Sequence, residues 1–127
     1  MQTKEGGITP YGITQVHALD VDDSQVSNRK VCVIDTGYDL GHPDLQTMNI
    51  NGTDLHPRPG YNGSTAWSKD EVGHGTHVAG TIAAIGNNGI GVQGVVRNGQ
   101  MNLHIVRIFG SKGLWAWKSR AIHAVSY

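Results

Sequence analysis

The sequence predicts an α/β fold whose strands run parallel, and three observations carry that prediction. Residues 30–35 and 103–109 are short apolar runs, the first rich in Val and Ile, of the kind a parallel sheet buries on both faces. Between them, residues 74–85 place Val78, Ile82 and Ile85 on one side of a helix. Parallel neighbours need a long crossover, usually helical, so strand, helix, strand in this order is their sequence signature. The alternation stops after a second helical stretch, residues 116–127, so the sheet is expected to be cut off after its first half.

Each element has a local reason. Thr9-Pro10 can cap and open a short helix, because the fixed φ of proline suits a first turn; Ile13, Val16 and Leu19 follow at helical spacing. Residues 20–28 are polar and turn-rich. Residues 36–73 are mostly loop, with one short strand expected near 48–50. The helix from His74 is expected to stop at Gly86-Asn87-Asn88-Gly89, a run of helix-ending residues. No repeat or linker divides the chain, so residues 1–127 read as part of one domain.

Composition narrows the function. Eighteen glycines in 127 residues is about twice ordinary usage. With only four prolines and no low-complexity tract, that excess predicts tight turns and close helix packing rather than disorder. Formal net charge is zero and no basic run occurs, which argues against nucleic acid and anionic membranes as partners. No apolar stretch approaches the roughly 18 residues that span a bilayer. Met1-Gln2-Thr3-Lys4-Glu5 lacks the apolar core of a signal peptide.

The chemistry-bearing residues stand at element ends. Val31-Cys32-Val33-Ile34-Asp35-Thr36-Gly37 delivers one carboxylate to the edge of a glycine turn. Gly73-His74-Gly75-Thr76-His77-Val78-Ala79-Gly80-Thr81 opens a small-residue helix with a histidine. An acid ending a strand and a histidine opening a helix can build an Asp–His pair. The carboxylate then fixes the imidazole tautomer and stabilises its charged form, so that His74 can take a proton from a nucleophile. Asp-Thr-Gly alone is a weak signal, since aspartic proteases also use it, but they need two copies and no histidine helix. A nucleophile is harder to find. None of Ser24, Ser27, Ser64, Ser68, Ser111, Ser119 and Ser126 stands on a Gly-flanked strand-to-helix elbow, and Ser64 lies in a turn-like Asn62-Gly63-Ser64-Thr65. His74 and His77 lie at i and i+3, but no glutamate completes a zinc-protease arrangement and no third ligand is near in sequence.

Together these motifs resemble the subtilisin-like serine proteases, the subtilase family, whose triad runs Asp, His, Ser along the chain. The likeness extends over nearly the whole sequence. Pro10-Tyr11-Gly12 matches the family's N-terminal segment, His42-Pro43-Asp44-Leu45 follows the Asp motif, and Gly91-Val92-Gln93-Gly94-Val95 matches the turn after the active-site helix. The separation of Asp35 from His74 accommodates one loop insertion relative to shorter members. The resemblance implies a three-layer, parallel-sheet subtilisin-like fold, truncated after its first half, with 1–127 as the N-terminal part of a single catalytic domain. It implies a secreted, bacterial-type serine endopeptidase, its signal and pro-segment removed ahead of Met1. Asp35 and His74 would be catalytic, with protein or peptide as substrate. The serine nucleophile and the oxyanion-hole asparagine would come from a C-terminal remainder as partner. A catalytically inactive fragment or peptide-binding remnant stays open as the alternative. His77 is the structural histidine of the motif, expected to be a buried, satisfied hydrogen-bonder.

The same resemblance implies further sites. A structural Ca²⁺ would be held by the Asp44 carboxylate, Asn88, and the carbonyls of Ile85, Ile90 and Val92, an all-oxygen set suited to a hard cation. The loop is one residue longer than in the family, leaving Asn87 as an alternative to Asn88, and the N-terminal side-chain ligand aligns with Gly7, which offers none. A polar turn without metal remains the other reading. Residues 110–115 would pair with extended substrate as an added strand, through Gly110, Gly113 and Trp115, with Phe109 and Trp117 walling a side-chain pocket. Ordinary packing is the alternative for the two tryptophans. Asp70 and Glu71 would border a neighbouring subsite or, as the better reading, form a solvated acidic pair. Cys32, the one cysteine, is expected to pack inside its strand, or to bridge to a cysteine elsewhere in a secreted protein.

Overall fold

The computed structural model describes residues 7–55, 66–110 and 118–126. Three strands, β1 (Lys30–Asp35), β2 (Ile50–Asp54) and β3 (Asn102–Arg107), form one parallel sheet in the spatial order β1-β3-β2. In register, Val33 lies beside Ile105 and Asp35 beside Arg107, while Gly52 and Asp54 of β2 meet the same two β3 residues from the other side. The central strand is buried on both faces, as its apolar run predicts: Ile105 and Val106 point to opposite faces and both are 0% exposed. Each such side chain removed from water contributes on the order of 2 kcal/mol.

Two boundaries differ from expectation. β3 ends at Arg107: the Ile108 N–H still donates to the Asp35 carbonyl at 3.0 Å, as a parallel ladder requires, but the Phe109 N–H turns onto the same oxygen at 3.4 Å. β2 begins where a short strand was expected but runs on to Asp54, its polar residues carried by main-chain pairing to β3 rather than by an apolar pattern. β1 keeps its expected bounds but is an edge of this sheet. Among the described residues no strand lies outside it, so Cys32 is exposed and Val31 and Ile34 are only half-buried. The expectation of a packed Cys32 is corrected on this ground, and the residue is a free thiol.

Among the described residues three α-helices accompany the sheet: α1 (Tyr11–Gln15), α2 (His74–Ala83) and α3 (Lys118–Val125). α1 starts directly after Pro10 and buries only Ile13. Val16 and Leu19 fall outside it, exposed, because His17 takes a left-handed conformation (φ 57°) that breaks the periodicity. α2 buries Gly75, Ala79 and Ala83, spaced by four, with Val78 and Ile82 only flanking that stripe. Small side chains there let the helix axis come close to β1. α2 ends earlier than the Asn-Gly run suggests. Ala84 is extended (ψ 137°), and the carbonyls of Thr81, Ile82 and Ala84 accept N–H groups from Val95, Val96 and Gly94 at 3.0, 2.8 and 2.9 Å. A returning segment therefore supplies the donors that the helix's last carbonyls lack.

The layers follow. On one face of the sheet, Val33, Leu103 and Ile105 pack with Ala79 and Ala83 of α2 and with Tyr38, Leu45 and Met101. On the other, Val106 and Ile108 pack with Ala124 of α3, beside Ile34, Leu55 and Phe109. Among the described residues no helix is long and apolar enough to cross a membrane.

Candidate active site

The site forms where β1 ends, at the carboxyl edge of a parallel sheet, where such folds leave room for ligands. Asp35 is the last residue of β1 and Gly37 turns the chain with φ 126°. A Cβ at Gly37 would stand 2.7 Å from the Lys69 carbonyl oxygen, so the turn and the loop before α2 lie in backbone contact. Gly75 allows the next approach. A Cβ there would overlap the Gly37 carbonyl and stand 3.1 Å from the Asp35 Cβ. The two motifs of the sequence thus meet glycine to glycine, and that contact sets His74 beside Asp35.

His74 Nδ1 lies 2.8 Å from Asp35 Oδ1 and 2.9 Å from Oδ2, across 39 positions of sequence. Both oxygens belong to a carboxylate that only accepts, so Nδ1 carries the proton and Nε2 of the neutral ring holds the lone pair. Asp35 Oδ1 also accepts the Thr36 N–H at 2.7 Å, and Asp35 is 9% exposed. The His74 side chain, by contrast, is 68% exposed, with Nε2 partnerless among the described residues. Its pKa is raised above 6.5, first by the hydrogen bond to Asp35 and then by that residue's charge; burial opposes this, and the charge of Asp70 adds the smallest effect. The arrangement is a base with a fixed tautomer, open at the nitrogen that would take a proton.

Asp70 is not the solvated acid expected. It is half-buried, and its carboxylate ties the loop before α2 to the turn after Asp35 through Thr36 and to the helix through Thr76. An acid four residues before a helix-opening histidine is the one signal that points to it, since carboxylates favour helix N-termini. Glu71 is exposed, as expected. His77 is also exposed rather than buried. It lines the cleft between α1 and α2. Among the described residues no group of three or more His, Cys, Asp or Glu side chains could hold a metal.

The five residues expected around a cation are linked by hydrogen bonds. Asp44 is 4% exposed; its Oδ1 accepts Asn88 Nδ2 at 2.8 Å and its Oδ2 accepts the Val92 N–H at 2.8 Å. The Ile85 N–H donates to the Asp44 carbonyl at 3.0 Å, and the Ile90 N–H donates to Asn88 Oδ1 at 3.2 Å. Asp44 is thus a buried carboxylate among neutral N–H donors, with no cationic side chain paired to it among the described residues. These contacts use the N–H groups of Ile85, Ile90 and Val92, not the carbonyls expected to hold a cation. Asn87 is left-handed (φ 59°), which turns the chain ahead of Asn88, and Asn88 is the one that reaches Asp44.

Of the expected substrate-binding residues, Phe109 is half-buried against the second core cluster and accepts Arg107 Nε at 3.2 Å through its carbonyl, and Gly110 is buried. Gly113, Trp115 and Trp117 lie outside the described residues, as do Ser64 and Ser111.

The site thus sets a carboxylate-oriented histidine at the strand ends of a parallel α/β sheet. Residues 27–125 match the Subtilase family, and the chain belongs to that family. It is 43% identical to subtilisin E of Bacillus subtilis (strain 168) over 106 residues, 82% of this chain and 25% of that protein. It is 39% identical to subtilisin-like protease 1 of Plasmodium vivax over 92 residues, 59% of this chain and 15% of that one. The crystal structure of a psychrophilic subtilisin-like protease from the Antarctic psychrotroph Pseudoalteromonas sp. AS-11 superposes with a TM-score of 0.78 at 42% identity, over 95% of this chain and 26% of that one. The chain thus spans about a quarter or less of the length of these relatives.

Proposed function

We propose that the enzyme containing this chain is a secreted serine endopeptidase, with Asp35 and His74 as two members of an Asp-His-Ser triad. The observation that carries this reading is His74 Nδ1 held between both Asp35 oxygens, at 2.8 and 2.9 Å, with Nε2 left open. A serine hydroxyl supplied by a C-terminal remainder would lose its proton to Nε2 as its oxygen attacks the peptide carbonyl. Asp35 would stabilise the imidazolium, which would then protonate the leaving amine. Extended substrate would lie along the segment that begins at Gly110. Ca²⁺, held by Asp44, Asn88 and the carbonyls of Ile85, Ile90 and Val92, would act structurally, pinning the loop after α2 to the turn that follows β1. Secretion rests on the family alone.

The test is hydrolysis of casein by the full-length enzyme and its His74→Ala variant, with the 127-residue chain alone as a third sample. Loss of turnover in His74→Ala, and none in the isolated chain, is the expected result. A folded His74→Ala enzyme with normal turnover would overturn the assignment.

A further inference from the structure

We propose that Asp70 is a positioning residue of the active site: its single carboxylate joins the turn after Asp35 to the first turn of α2 and so sets where the His74 ring stands. The inference rests on the reading of Asp35 and His74 as a catalytic pair and goes beyond it by adding a residue that touches neither the proton in transit nor substrate.

The geometry is that of a clamp. Asp70 Oδ1 accepts Thr36 Oγ1 at 2.8 Å, the Gly73 N–H at 2.9 Å and the Val72 N–H at 3.2 Å. Its Oδ2 accepts the Thr76 N–H at 2.8 Å and Thr76 Oγ1 at 2.6 Å. The two threonines extend the clamp in both directions. Thr36 Oγ1 accepts the Gly75 N–H at 2.9 Å, and Thr76 Oγ1 accepts the Asp39 N–H at 3.0 Å. Thr36 follows Asp35 directly, and Gly75 follows His74 directly. The residues after each catalytic partner are therefore bonded to each other, and Asp70 holds the hydroxyl through which they meet.

Local sequence explains why an outside carboxylate is needed. The residue capping α2 is Gly73, which has no side chain to accept the helix's first N–H groups, and no side-chain cap bond is made there. A helix start leaves such donors unpaired. Here Thr36 takes the one on Gly75 and Asp70 the one on Thr76. A full negative charge at this end also suits the helix dipole, which on its own disfavours a protonated His74. The charged groups acting on His74 are Asp35 from β1 and Asp70 from the loop before α2.

A structural cap and a positioning clamp differ in what they move. Asp70→Asn removes the charge and places an NH₂ group where a carboxylate oxygen accepts two or three bonds. In the full-length enzyme, with rates counted per folded active site, kcat should fall by about 10- to 100-fold with KM unchanged, the range a misplaced catalytic group produces. The acid limb of the kcat/KM profile should move to lower pH, because a charge that favours the protonated imidazole is lost. Asp70→Glu should restore the limb, and part of kcat. Thr76→Val, which removes one of the clamp's two hydroxyls and keeps the charge, should lower kcat without moving the limb, and it serves if Asp70→Asn does not fold. Asp70→Asn with wild-type kcat and an unmoved limb would overturn the inference, as would wild-type kcat in Thr76→Val where only that variant folds. His74→Ala, run alongside, separates the two readings. If it keeps its turnover, the catalytic pair itself is wrong; if it is dead while the clamp variants are normal, only the role of Asp70 falls.

Discussion

Replacing Gly75 by alanine tests how the two halves of the site are brought together. By helix propensity alone the change should stabilise α2 by about 1 kcal/mol, since alanine loses less freedom than glycine in a helix. Packing argues the other way. The new Cβ would overlap the Gly37 carbonyl oxygen and stand 3.0 Å from Gly37 N and 3.1 Å from the Asp35 Cβ. None of these atoms lies at the end of a side chain that can swing away. Relief therefore means backing α2 off by about 1 Å, to ordinary contact distance. Overpacking of this kind costs roughly 1–3 kcal/mol, so the net effect is a loss of up to about 2 kcal/mol. The same displacement stretches the 2.8 and 2.9 Å contacts of His74 Nδ1 past useful hydrogen-bond length. A shift of about 1 Å at a catalytic group costs on the order of 100-fold in rate. Gly80→Ala is the control, in the same helix: its Cβ would meet only Leu45 Cδ2, at 3.7 Å, an ordinary contact. Thermal unfolding and kcat/KM of both full-length variants should diverge, Gly80→Ala holding or gaining stability and Gly75→Ala losing stability and rate. If Gly75→Ala stabilises as much as Gly80→Ala and keeps full activity, the close-approach argument is wrong.

Two further outcomes are expected. His74 must be neutral to take a proton and its pKa lies above 6.5, so kcat/KM should rise with pH through a midpoint above that value; Asp35→Asn should move the midpoint down and lower kcat by about 10⁴-fold, and a pH–rate profile of both enzymes checks it. The raised pKa also contributes folding stability that is present at low pH and lost as pH rises through the folded-state value. Chelation of Ca²⁺ should lower the melting temperature of the full-length enzyme, since a cation bound only to the folded form stabilises it by mass action, and Asp44→Ala should remove most of that dependence; an unchanged melting temperature in excess chelator counts against the site.

Legibility differed by element. The two long strands, α2 and the Asp35–His74 pair could be read because each rests on local chemistry: apolar runs, helical spacing, and an acid and a histidine at element ends. β2 was harder, since Asn51, Thr53 and Asp54 are polar and are held in the sheet by main-chain bonds to β3. The end of α2 was misplaced because donors from residues 94–96, not a local glycine, receive its last carbonyls. Asp70 was undervalued for a similar reason: its partner Thr36 lies 34 positions away in sequence.

Sequence alone determined that this chain builds a parallel α/β sheet and carries a carboxylate and a histidine in subtilase motifs, because periodicity and motif spacing are local properties. Tertiary structure decided which face of α2 is buried, that Cys32 and His77 are exposed, and that Asp70 clamps the site. Those outcomes depend on which surfaces come within contact distance. For the approach of α2 to the Asp35 turn it was settled by two glycines, Gly37 and Gly75, whose missing side chains let distant backbones touch.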